Sequence, residues 1–150
     1  MCCFRSSKPA RRGMAESDAA TLPDFADHLR VKRIYRAARV SDGRRILVDR
    51  LWPRGMAKDR ARIHDWAKEI APSDGLRRWF HANLDQWEEF GRRYRGELAG
   101  KRAELREIAE FARSGVVTLL YGSKDEAHNN AVVLRDCLLE LIAAEVDGDE

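Results

Sequence analysis

A disulfide framework is the first thing this sequence does not imply. Only three cysteines occur in 150 residues. Cys2 and Cys3 are adjacent near the start, and Cys137 sits inside an apolar helical pattern, where a buried free thiol is the expected reading. A reducing cytoplasm is therefore the expected compartment. Long hydrophobic runs are also missing: nothing approaches the ~20 apolar residues that cross a bilayer, so a soluble chain with no membrane partner is expected. Met1–Gly13 is short, basic and polar and lacks the apolar stretch of a secretory signal. Met14 offers a second start codon. Neither charge sign dominates, with 28 Lys and Arg against 25 Asp and Glu. The two signs are interleaved, so no whole-chain field recruits a polyanion. There is no glycine-rich phosphate loop, dinucleotide fingerprint, Gly-x-Ser-x-Gly elbow or Cys-x-x-Cys pair. His28, His64, His81 and His128 are too widely spaced to pair as ligands. Neither a metal nor a cofactor is expected.

What remains suits one globular domain. The chain is 44% hydrophobic and 35% charged, and a chain of this length buries roughly two thirds of its unfolded surface. Residues 1–20 have no apolar period and read as a basic disordered tail; residues 21–144 read as a single α/β domain, and 145–150 as an acidic disordered end. Val31–Arg36 alternates apolar and basic residues like a strand with one wet face. Ser41-Asp42-Gly43 marks a turn. Arg44–Leu51, apolar on consecutive positions at Ile46–Val48, suits a strand buried on both faces. Val116–Tyr121 is β-branched at its start and follows Gly115.

Helical spacing appears between the strands. Ile63, Trp66, Ala67 and Ile70 form one face, ended by Pro72; Leu76, Trp79 and Phe80 follow the N-cap types Ser73-Asp74. Leu84, Trp87, Phe90, Tyr94 and Leu98 form another, and Leu105, Ile108, Ala109 and Ala112 a further one, closed by Gly115. The final helix, about His128–Ala144, is the most apolar. This order predicts a compact α/β fold, a small, mostly parallel sheet flanked by helices. Val31–Arg36 is the segment expected to run antiparallel to its neighbour.

In a parallel arrangement the segments leaving the second and third strands meet at one sheet edge, where ligands of open α/β folds bind. The first is Asp49-Arg50-Leu51-Trp52-Pro53-Arg54-Gly55 and the second Tyr121–Asn130. Arg50, Arg54, Lys124 and the start of the last helix suit an anion, because guanidinium forks and free helix N–H groups match phosphate and carboxylate oxygens. Asp49 and His128 are the candidate acid/base groups, and Trp52, Tyr121, Asp125 and Asn129 the remaining candidate ligand contacts. Each has a plainer reading. Asp49 can form a structural ion pair with an arginine, Trp52-Pro53 can be a packing wedge, and Ser123 or Asp125 can be an N-cap.

Val31-Lys32-Arg33-Ile34-Tyr35, Leu47–Gly55, Trp66–Ser73, Thr118–Tyr121 and His128-Asn129-Asn130-Ala131 together resemble the YeaO-like branch of a bacterial family, domain of unknown function number 488. The resemblance covers about Val31 to Ile142, is most specific at Asp49–Gly55, and implies a compact α/β fold. Its signature blocks fall on Asp49–Gly55 and on Asp125, Glu126, His128 and Asn129, the same two segments. The expected partner is a small anionic or nucleotide-like ligand. One alternative is a nucleic-acid module, with the basic tail, Arg44-Arg45 and Lys58–Arg62 on phosphates and Trp52 on a base. The other is a protein-interaction domain in which both blocks only stabilise the fold.

Overall fold

The computed structural model describes residues 26–148. The tail at 1–20, with Cys2, Cys3 and Met14, lies outside them. Among the described residues four strands form one sheet in the order β1-β4-β2-β3: β1 (Leu29–Arg33), β2 (Arg44–Leu47), β3 (Asp65–Trp66) and β4 (Val117–Tyr121). Every pairing is parallel, which corrects the antiparallel expectation for Val31–Arg36. The reason is topological. β4, last in sequence, inserts between β1 and β2, so Leu29 pairs with Val117 on one side and Arg44 with Val117 on the other. A hairpin between β1 and β2 is thereby excluded.

The helices are α1 (Lys58–Ala61), α2 (Asp74–Ala82), α3 (Trp87–Leu98), α4 (Arg102–Ser114) and α5 (Asn130–Gly148), with 3-10 turns at Val40–Asp42 and Lys68–Ile70. Ser73 caps α2 by accepting the Leu76 N–H, and Glu97 holds Ser73 in place through its N–H and hydroxyl at 2.9 and 2.6 Å. α5 runs four residues past its expected end, into the segment expected to be an acidic extension. Glu145 anchors it there by accepting Arg106 at 3.0 Å and Arg113 at 2.7 Å from α4.

The expected helix over Ile63–Ile70 does not form. Asp65–Trp66 instead extends as β3, and Arg62 just before it sits in the left-handed region at φ 48°. Ile63 and Trp66 pack on one side of the sheet, whereas Ala67 and Ile70 pack on the other. Their helical spacing was coincidental. Leu84 likewise falls in the loop before α3, outside the helix and exposed.

The sheet separates two unequal cores. On one face Ile46, Leu119 and Tyr121 meet α2, α3, α4 and α5 through Leu76, Phe90, Ile108 and Leu134. The other face carries a small cluster of Ile34, Leu47, Met56, Ala61 and Leu120, roofed by loops and by α1. Beyond it lies a buried ionic group in which Asp42 accepts Lys32 at 2.9 Å and Arg45 at 2.6 Å. Gly43 turns the chain there at φ 65°, where a Cβ would come within 2.2 Å of the Val116 carbonyl oxygen. Cys137 is a free, half-buried thiol on α5. Among the described residues no helix is long and apolar enough to cross a membrane.

Candidate functional site

Parallel pairing brings the carboxyl ends of β2 and β4 side by side, so the segments leaving them start as neighbours. One carboxylate joins them. Asp49 accepts the Gly122 N–H at 2.9 Å on one oxygen and the Asn130 amide at 3.1 Å on the other, while that amide also donates to the Val48 carbonyl at 2.8 Å. A Cβ at Gly122 would lie 3.2 Å from the Asp49 carboxylate, so glycine permits this approach. Burial pushes the Asp49 carboxyl above the ordinary carboxylate range; the Gly122 and Asn130 hydrogen bonds pull it back only in part. Among the described residues no arginine forms an ion pair with it. The neighbouring Arg50 turns away and donates to the Pro72 carbonyl at 3.0 Å.

Around this latch the first segment divides into packing and open parts. Trp52 is a wedge: its indole N–H donates to the Met56 carbonyl at 2.7 Å and its ring meets Trp66 edge-on at 5.3 Å. Arg54 is exposed, and its side chain has no partner among the described residues; only its carbonyl is engaged, by the Tyr35 hydroxyl at 2.6 Å. In the second segment Lys124 is also exposed and unpaired among the described residues. Asp125 accepts the N–H groups of Ala127 and His128, both at 2.9 Å, and these bonds hold its carboxyl below the usual range. Its other oxygen meets the His128 ring at 3.2 Å, and that ring packs against Trp87. Asn129, buried, caps α5 by accepting the Val132 N–H at 3.1 Å. The cap of α5 is thus neither Ser123 nor Asp125, and one amide at the helix start is already occupied.

These segments border a cleft with two lobes. The larger, about 520 Å³, is lined by Asp49–Arg54 and Gly122–Lys124; the smaller, about 280 Å³, reaches Phe80, Phe90, Asp125 and His128. Arg77, His81 and Leu84 on one wall and Ser123, Lys124 and Asn130 on the other line both, so the lobes are continuous. Asp49, Arg50, Trp52, Arg54, Lys124, Asp125, His128 and Asn129 therefore all border one depression. Tyr121 does not. Its ring is buried in the helix-covered core, because alternation along β4 points it away from the cleft. Asp49 and His128 line different lobes and share no hydrogen bond.

The comparisons decide the family. A family model described as the inactive DUF488-N3 subclade matches residues 28–150. The chain belongs to the DUF488 family. It is 43% identical over 114 residues to the uncharacterised protein YeaO of Escherichia coli, covering 76% of this chain and 99% of that one. Uncharacterised proteins of Mycobacterium tuberculosis and Mycobacterium bovis are each 39% identical over 110 residues, 73% of this chain and 92% of theirs. No solved structure matches.

In this DUF488 protein the lining residues that sequence reasoning missed are chiefly Arg77, His81 and Leu84. Arg77 and His81 share a face of α2 at i, i+4, which the sequence shows, but nothing in it says which loop that face meets. Among the described residues the Arg77 Nε is buried with no hydrogen-bond partner, and its head reaches Asp74 at 3.4 Å. Of the cations in the nucleic-acid reading, Lys58, Arg60 and Arg62 are exposed, whereas Arg44 and Arg45 are engaged elsewhere. Arg44 pairs with Asp65 at 2.8 Å and lies over the Phe111 ring, and Arg45 is buried against Asp42 and the Ala61 carbonyl. Among the described residues no group of three or more His, Cys, Asp or Glu is placed to hold a metal ion.

Proposed function

We propose that this DUF488 protein binds a small anion, of nucleotide-like size, in the cleft between Asp49–Gly55 and Gly122–Asn130. The supporting observation is the charge balance of the larger lobe. Four cationic side chains, Arg50, Arg54, Arg77 and Lys124, line it against one carboxylate, Asp49, whose oxygens are turned to Gly122 and Asn130. Arg54 and Lys124 have no acidic partner among the described residues, and the Arg77 Nε lacks an acceptor. A buried donor left unsatisfied is costly, and an anion's oxygens would satisfy it. The volume falls within the range of small-molecule sites.

Binding fits this arrangement better than turnover. The two candidate acid/base groups serve local structure, Asp49 as the latch and His128 within the Asp125 turn, and they line different lobes. The description of the matching family model as an inactive subclade accords with that reading. The test is a thermal-shift titration with inorganic phosphate, adenosine monophosphate and citrate on wild type and Arg54→Ala. At a hundred times the dissociation constant a ligand stabilises by about 2.7 kcal/mol, a shift of several degrees. Losing one charge-assisted contact should weaken binding roughly ten- to hundredfold. No shift with any of the three anions on wild type refutes the proposal, and equal shifts in both proteins remove Arg54 from it.

A further inference from the structure

The smaller lobe differs from the larger in chemistry. Its apolar lining adds Phe80 and Phe90 to Pro72 and Leu84, which both lobes share, and His128 and Asp125 are the polar side chains that reach it and not the larger lobe, together with the buried Asn129. Phe80 and Phe90 stack with ring centroids 4.2 Å apart, and Trp87 extends the cluster, so the aromatic wall is fixed by its own packing. At about 280 Å³ the lobe exceeds the ~150 Å³ cavity that already accepts benzene.

A second observation concerns exposed leucines. Among the described residues three large hydrophobic side chains are exposed, Val40, Leu51 and Leu84, and two of them stand at this cleft. Leu51 is 55% exposed on the segment after β2, and Leu84 is 67% exposed in the loop between α2 and α3. Single exposed leucines are ordinary, but two around one cationic depression make a mixed rim of charge and hydrocarbon.

We infer that the ligand is amphipathic: an anionic head held where the lobes join by Arg77 and Lys124, with Arg54 reaching it from the larger lobe, carrying a ring-sized apolar group that enters the smaller lobe between Leu84, Phe80 and Phe90. This rests on the anion-binding reading and narrows it from anions in general to those bearing an aryl-like substituent. The head is placed at the junction because Arg77 and Lys124 line both lobes, whereas the smaller lobe beyond them offers only Asp125 as a charged side chain.

Methyl phosphate and phenyl phosphate separate the two readings, since their heads match and their substituents differ. Isothermal titration with the full chain should show phenyl phosphate binding about ten- to hundredfold tighter, the gain from burying a ring. Leu84→Ser, at an exposed position where folding is not at stake, should lower the phenyl-to-methyl affinity ratio several-fold. Arg54→Ala should weaken both ligands and leave the ratio near its wild-type value. If both phosphates bind equally well to wild type, the amphipathic inference fails and the anion reading stands. If neither binds, both fail. A ratio that Leu84→Ser leaves unchanged puts the ring elsewhere and also overturns the inference.

Discussion

Replacing Asp42 with asparagine probes the loop-covered face of the sheet. Asp42 accepts Lys32 on both oxygens at 2.9 and 3.0 Å, Arg45 at 2.6 Å and the Arg39 N–H at 3.0 Å. Asparagine would leave two cations without a counter-charge, and Arg45 is only 3% exposed. Breaking a buried pair by removing one partner costs about 3–5 kcal/mol. Arg45 keeps two bonds to the Ala61 carbonyl, at 3.0 and 2.7 Å, which favours the lower end, about 3 kcal/mol or on the order of 10 °C in melting temperature. The cost should depend on pH. Burial pushes the Asp42 carboxyl up, but hydrogen bonds from Lys32, the Arg39 amide and Arg45 outweigh it and hold the group below its ordinary range. A carboxyl held low contributes its full stability above the unfolded value, near 4, and loses it as pH falls through the folded value. Urea denaturation should therefore separate wild type from Asp42→Asn by about 3 kcal/mol at pH 7, with the gap closing in acid. Equal midpoints at pH 7, or a gap that widens below pH ~4, would refute the reasoning.

Other expectations follow from single contacts. Gly43→Ala forces a Cβ against the Val116 carbonyl, which accepts the Arg44 N–H at 2.9 Å, and should cost about 3 kcal/mol; Gly96→Ala, on α3 with open space around it, should gain about 0.5–1 kcal/mol. Paired thermal melts check both, and a Gly43→Ala melt equal to wild type would contradict the geometry. Carboxyl-carbon NMR should find Asp49 titrating above the ordinary aspartate range and Asp125 below it. The stability linked to Asp49 is accordingly present at low pH and declines as pH rises through its folded value, whereas that linked to Asp125 grows with pH; the reverse order of titration would count against the latch.

Much of the sheet was legible because burial on both faces leaves consecutive apolar residues, as at Ile46–Val48 and Leu119–Tyr121. Strand direction was not legible at β1, since no local signal reports that a strand 84 residues later separates it from β2. β3 escaped because two residues carry no periodicity, and the flanking Ile63, Trp66, Ala67 and Ile70 imitate a helix by serving opposite faces of the sheet. At the site, topology alone placed the two loops together. It could not assign work within them: Asp49 looks like an acid/base group and Asn129 and Asp125 like ligand contacts in sequence, yet all three accept hydrogen bonds from neighbouring backbone N–H groups. The α2 wall was invisible, because which helix face overlooks a cleft depends on packing.

The unequal covering of the sheet bears on how the cleft behaves as a receptor. One rim, Leu51–Gly55, belongs to the thinly roofed side and ends in an exposed arginine and glycine; the other rides on α2, bedded in the larger core. Segments with little apolar packing open at lower free energy than those in a deep core. A guest spanning both rims must quiet the softer one, and the entropy so lost is subtracted from its affinity. Pro53, buried beside the anchored Trp52, keeps that subtraction small by leaving little freedom below the tip.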